Sequence, residues 1–449
     1  MSTHSTERIG DGISFTLDGQ SIPASRGDSI AAAMIAAGEY RFRDSKSGSP
    51  RGLFCGMGVC GECQVLVDGV SKRACLEKVS DGKDVRRHPA RRDLGQTVTP
   101  GDIEDWEEES VDVLVVGAGP AGLSAATAAA RAGLEVLVID ERSQAGGQYF
   151  KQPAEEYGID ERQLDAQFRE GAQLVRDALA AGVRYQPGAT AWAAFDEAML
   201  SYSVGGQTRL VSARRFVLAG GAYERPLPVP GWTLPGVMTT GAAQTLLRAY
   251  RTTPGKRVLV AGNGPLNFQV ARELKLAGSE VVAVAEAAPS PMYSPLSFLK
   301  MAVADAKSSV DGLQQVAALK SARVPLHFAH ALLRLDGGDN VEKATVVRID
   351  SKGMPIRGSE TAYDVDAVCM NYGFLPQGDL ARALGCEFDF DAKTAAWTAR
   401  RNSECRSSFD TVFLVGDSAG LGGARVAMAE GAIAGHAIAA DLGAAQSVG

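Results

Sequence analysis

Residues 111–122 read VDVLVVGAGPAG, an apolar run that leads straight into Gly117-x-Gly119-x-x-Gly122. A continuous apolar run predicts a strand covered on both faces, as in a parallel sheet. The small-residue stretch LSAATAAARAG then predicts a helix, and EVLVID a second strand ending at Asp140. Strand, glycine turn, helix, strand and acid in this order form a dinucleotide-binding fingerprint. Gly117 permits the tight turn, Gly119 lets a pyrophosphate approach the helix N-terminus, and Gly122 lets the helix pack on the strand. Pro120 and Ala121 open the helix. Asp140 is placed for an adenosine ribose, with neighbouring Glu141 as the other candidate.

The pattern returns at RVLVAGNGPLN, residues 257–267, with Gly262-x-Gly264 and a following strand, EVVAVAE, that ends in Glu286. Asn267 stands where the third glycine would be. No paired arginines follow Glu286 to hold a 2'-phosphate, which argues against NADPH and leaves NADH open beside a purely structural role. No C-x-x-C pair accompanies this second fold, so disulfide reduction is not expected. The expected class is α/β, with one Rossmann-like domain (110–235 and 359–445) interrupted by a second (236–358). This nesting resembles the thioredoxin and glutathione reductases. That resemblance implies FAD at the first site, through Gly146, Gly147 and Gln148 and through the Gly416-Asp417 pair of TVFLVGDSAG. There the aspartate binds the ribityl chain, and the last helix points its N-terminus at the flavin ring.

Ahead of both folds lies CGMGVCGEC. With Cys75 it gives C-x4-C-x2-C-x11-C: Cys55, Cys60, Cys63 and Cys75. The first three match the plant-type [2Fe-2S] spacing. Gly56, Gly58 and Gly61 let the loop wrap and turn N–H groups toward the sulfurs. Zinc is the rival, but zinc sites pair their ligands as two short C-x2-C units. The flanks predict a hairpin at 12–23 turning at Asp18-Gly19, a helix at 28–37 capped by Asp28, and a hairpin turning at Asp68-Gly69. Strand pair, helix, cysteine loop and strand pair follow the β-grasp order of ferredoxin-like domains over residues 11–90. Such a domain is expected to fold separately from the flavin part. Residues 91–109, arginine-rich and then acidic, read as a linker.

Length and charge set outer limits. A chain of 449 residues predicts two or three domains. A net charge of −7 gives no basic surface for nucleic acid. No apolar run reaches the length of a membrane span, and the N-terminus lacks an apolar signal core. The expectation is a cytoplasmic protein, peripheral at the inner membrane only through a complex.

The stretch GAYERPLPVPGWTLPGVMT, residues 221–239, adds specificity. With GNGPL and the terminal Gly-Asp pair it resembles the flavoprotein subunits of hydrogen cyanide synthase, opine oxidases and D-hydroxyproline dehydrogenase, and more distantly the sarcosine oxidase α subunit. The resemblance covers about residues 110–440. It implies an electron-transfer subunit of an amine or imino-acid dehydrogenase. A partner flavoprotein of the D-amino-acid-oxidase type oxidises the substrate, FMN is a candidate at the interface, and a quinone or soluble carrier accepts the electrons. The likeness to sarcosine oxidase implies NAD or ATP as alternative occupants of the first site. Two other readings stand beside it: a self-sufficient NADH-dependent reductase, and a nucleotide-stabilised scaffold with the cluster as sole redox centre. No catalytic residue is identified.

Overall fold

The computed structural model describes residues 12–89, 107–195, 199–290 and 306–444. The linker expected at 91–109 lies outside the described residues up to 106, and Glu107 already begins a strand. The chain forms two compact units. The first holds the N-terminal segment to residue 92, residues 153–159 and 224–373; the second holds the rest.

In the first unit, the N-terminal part is a five-stranded sheet in the order Gln20–Ser25, Gly12–Leu17, Asp84–Arg87, Gln64–Val67, Val70–Arg73. Both hairpins turn where the Asp-Gly pairs require. Asp18 and Asp68 have φ of 50° and 49°, each followed by a left-handed glycine, the two-residue turn whose twist matches antiparallel strands. The helix is Ile30–Ala36, shorter than expected, and its cap is Ser29 rather than Asp28. The Ser29 hydroxyl accepts from Ala32 N at 3.2 Å. Asp28 is fully buried and braced instead by Ser25 N and the Tyr157 hydroxyl. A buried carboxylate needs such partners more than a helix end needs a second cap.

The same unit contains a five-stranded parallel sheet in the order Val237–Thr239, Ala367–Asn371, Arg257–Gly262, Glu280–Glu286, Leu326–Phe328. The helix Thr240–Tyr250 packs beside it, and almost every residue of that helix is buried. One continuous core joins Phe15, Ile30 and Met34 of the N-terminal sheet to Met238, Ala242, Leu246 and Val260. The cysteine-bearing domain therefore shares its core with the second Rossmann-like fold, while the first glycine turn belongs to the other unit. The helix Thr240–Tyr250 covers part of that domain's apolar face.

The second unit is built on a seven-stranded sheet. Its parallel centre comprises Arg184–Pro187, Val136–Asp140, Glu107–Val116, Gln207–Leu218 and Val412–Leu414. The helices Pro120–Arg131 and Gly423–Asp441 lie against each other by way of Gly431 and Gly435. A Cβ added at either would come within 2.1 and 2.5 Å of the carbonyl oxygens of Ala121 and Ala125. Only glycine allows these backbones to approach so closely.

Candidate functional site: a cysteine loop and two glycine turns

In the cysteine loop, backbone N–H groups face sulfur as the glycine content predicts. Met57 N and Cys60 N donate to Cys55 Sγ at 3.4 and 3.5 Å, and Glu62 N donates to Cys60 Sγ at 3.4 Å. Gly56, Gly58 and Gly61 all have positive φ, which a side chain would resist. Cys55, Cys63 and Cys75 are buried and Cys60 is half-buried.

The thiols lie as two pairs. A hydrogen bond from Cys60 pulls the Cys55 thiol down to about 6, while the same bond pushes Cys60 up. A bond to Cys63, and then burial, push Cys75 well above the ordinary range. Two adjacent thiolates repel, which favours the protonated thiols of Cys60 and Cys75. Metal binding replaces those protons. Among the described residues, no three His, Cys, Asp or Glu side chains gather to hold a single ion. Two thiol pairs fit a two-iron cluster, with two thiolates per iron, better than one tetrahedral zinc.

The loop is also fastened to the neighbouring fold. Thr239 N donates to Phe54 O at 2.9 Å. A Cβ on Gly56 would sit 2.9 Å from the Cβ of Ala242 on the helix Thr240–Tyr250. Phe54 meets Trp232 edge-to-face at 5.4 Å.

In the second unit, Gly117 has φ of 108°, and a Cβ there would strike Ala219 O at 2.5 Å. A Cβ on Gly122 would lie 1.9 Å from Gly117 O, so the helix packs on the strand as the fingerprint requires. Gly119 caps the helix, and Pro120 begins it without leaving an N–H to satisfy. Gly146 N donates to Ala118 O at 2.8 Å, and a Cβ on Gly147 would meet Gly119 Cα at 2.8 Å. Gln148 offers its carbonyl to Lys151 Nζ at 2.6 Å. A Cβ on Gly416 would meet the Cβ of Ala121 at 2.8 Å, so the Gly416-Asp417 pair adjoins the start of that helix. The N–H groups of Gly422 and Gly423 donate to Asp417 Oδ1 at 2.9 and 3.0 Å, which holds the start of the last helix.

Asp140 has a local task in its own turn. Its two carboxylate oxygens accept from Ala118 N at 2.7 Å and Arg142 N at 2.8 Å. Burial pushes its pKa up against those two bonds. The carboxylate thus ties the phosphate turn to the strand end. Glu141 follows it and contributes to the field that, after burial and Asp379, raises the Tyr223 phenol.

The second turn repeats this device in the first unit. Glu286 accepts from Gly264 N at 3.1 Å and from Ala288 N at 2.9 Å, and burial raises its pKa to about 6. Around Gly264 a Cβ would meet nothing within 4 Å, whereas at Gly262 it would strike Asn371 O. Asn267 explains the missing third glycine. Buried, it accepts from Thr240 Oγ1 at 2.8 Å and donates to Asn371 O at 3.0 Å. Asn371 in turn donates to Glu224 at 2.8 Å, and Glu224 also accepts from Gly241 N. Sequence reading used Glu224 only as part of a family stretch. Its setting, Tyr223-Glu224-Arg225, gives no local sign of this network, whose partners lie 17 and 147 positions away.

A family model described as pyridine nucleotide-disulphide oxidoreductase matches residues 111–431. The chain belongs to that family. A 2Fe-2S iron-sulfur cluster binding domain matches residues 10–90, so the cysteine loop lies in a cluster domain attached to an oxidoreductase. An opine oxidase subunit of Rhizobium meliloti is 33% identical over 358 residues, which cover 78% of this chain and 66% of that one. The HcnB subunit of hydrogen cyanide synthase from Pseudomonas aeruginosa is 29% identical, covering 72% and 69%. The chain thus spans just under two thirds of the first relative's length. Both are groups that residues 221–239 resemble. The crystal structure of L-proline dehydrogenase from P. horikoshii shares the fold, with a TM-score of 0.69 and 21% identity, over 98% of this chain and 75% of that one.

Proposed function

We propose that this chain is the electron-transferring subunit of a heteromeric complex that oxidises amines or imino acids of the opine or D-hydroxyproline kind. One observation carries the reading. The cysteine loop is built onto the helix Thr240–Tyr250 of a dinucleotide-type fold, through Gly56 against Ala242 and Phe54 O to Thr239 N. A redox loop held that firmly is a fixed port for electrons. The names of both curated relatives are those of subunits, which supports a division of labour.

Cys55, Cys60, Cys63 and Cys75 hold the cluster in this reading. Gly117–Gly122, Gly146–Gln148 and Gly416-Asp417 cradle FAD, with NAD or ATP as other occupants of the same phosphate turn. Asp140 faces the ribose with the acceptor sites its two backbone bonds leave open, and Glu141 is the other candidate. Bound there, FAD exchanges electrons in pairs or singly, and a [2Fe-2S] cluster exchanges them singly. The chain's own residues bind and orient these groups. Substrate oxidation falls to a partner of the D-amino-acid-oxidase type, with FMN as a candidate at the interface and a quinone or soluble carrier as acceptor. A reducing cytoplasm suits the thiolates.

The open space at Gly264 and the retained Glu286 favour a second reading, an NADH-dependent reductase. An anaerobic absorbance titration of the purified chain with NADH separates the two, with released cofactors identified by mass spectrometry. The subunit reading expects no bleaching by NADH and full reduction by dithionite. Rapid bleaching by NADH alone would overturn it.

A further inference from the structure

Three arginines reach the cysteine loop from three different strands. Arg73, at the end of Val70–Arg73, donates Nη1 to Gly58 O at 2.7 Å. Arg43, in Arg43–Asp44, donates Nε to Glu62 O at 3.2 Å and Nη2 to Glu62 Oε1 at 2.9 Å. Arg51, in Pro50–Arg51, lies with Nε 3.4 Å from Glu62 Oε2. Gly58 and Glu62 flank Cys60, the half-buried ligand.

Two details go beyond anchoring. First, Gly58 O and Val59 N belong to one peptide. Arg73 holds its carbonyl, and its N–H is directed at Cys55. In a trans peptide the two ends point opposite ways, so a donor gripping the carbonyl from outside aims the N–H inward. Second, Arg43 and Arg51 are direct cross-strand partners. Like charges placed opposite each other are unfavourable. Glu62 lies between them and pairs with both. A cluster of two ferric ions, two sulfides and four thiolates is net negative, and becomes more so on reduction.

We propose that Arg43, Arg51 and Arg73 are positioning residues that raise the reduction potential of the cluster, and that Glu62 acts in the opposite sense. Positive charge favours the reduced, more negative state, and so does an N–H aimed at a ligand sulfur. Arg73 acts in both ways. The inference rests on the reading that these four cysteines hold a [2Fe-2S] cluster.

The test is a redox titration of the full-length chain, purified anaerobically and followed by electron paramagnetic resonance, with iron and acid-labile sulfide measured on each sample. Arg73→Gln and Arg51→Gln should shift the midpoint to more negative potential. Glu62→Gln, which keeps an acceptor for the arginines, should shift it to more positive potential. Arg73→Lys keeps the charge and should recover part of the Arg73→Gln shift. Opposite signs for the arginine and glutamate variants are the expected result, since a merely structural role would not produce them. Midpoints that coincide with the wild type, or that all move the same way, in samples with full iron and sulfide would overturn the inference alone. A wild-type chain without iron or acid-labile sulfide would instead remove the cluster reading, and this inference with it.

Discussion

At the scale of single residues, the two acids at the strand ends do similar work. Asp140 and Glu286 each accept two backbone N–H groups from their own turn. Burial raises Glu286 from 4.5 to about 6. A carboxyl with a raised native pKa binds its proton more tightly folded than unfolded. Its stabilising contribution is complete below pH 4.5 and is lost as pH rises through 6. The gap corresponds to about 2 kcal/mol. Between pH 4.5 and about pH 7, the unfolding free energy should therefore fall by up to that amount relative to a Glu286→Gln variant. Denaturant unfolding at several pH values would check this, and parallel pH profiles for the two proteins would contradict it. Asn267 shows the limit of a motif. The missing glycine was visible in the sequence, but its compensation by Thr240 and Asn371 was not, because those residues lie 27 and 104 positions away.

At the scale of elements, the helix Thr240–Tyr250 is the piece on which the cysteine domain depends. It is buried along nearly its whole length because one side faces its own parallel sheet and another faces the cysteine loop. Ala242 is fully buried, and Gly56 rests on it. A large side chain here must push the loop away, since packed interiors leave no room for it. Ala242→Phe should lower iron and acid-labile sulfide per chain by roughly half or more without touching a cysteine. Nucleotide content of the second unit should stay near the wild type, because its cradle is built from residues of that unit. Full iron content in this variant would show that the helix does not position the loop.

At the scale of the whole molecule, each unit has its own organisation. The N-terminal domain, though it looks like a separable module, shares its core with residues 224–373. Cutting it out exposes the apolar faces of Phe15, Ile30 and Met34 that Met238, Ala242 and Leu246 help to cover. A fragment of residues 1–92 should therefore fail to give a dispersed nuclear magnetic resonance spectrum, even when reconstituted with iron and sulfide. A well-dispersed spectrum from that fragment would mean that the shared core is not needed for folding. Among the described residues, no helix is long and apolar enough to cross a membrane.

What the sequence alone determined about this protein was local. Glycines with forced backbone angles, Asp-Gly hairpin turns, apolar strands and cysteine spacing each act over a few residues, so their consequences can be read from a short window. The cluster domain, the two glycine turns and the strands that carry them follow from such windows. Tertiary structure decided what depends on distant neighbours. It moved the helix cap from Asp28 to Ser29, because Asp28 met Tyr157. It turned Asp140 inward onto Ala118 and gave Glu224 its buried partners. It also joined the cysteine loop to the helix Thr240–Tyr250, a contact between surfaces some 180 residues apart along the chain. No local pattern encodes that pairing, because its contacts join residues far apart along the chain.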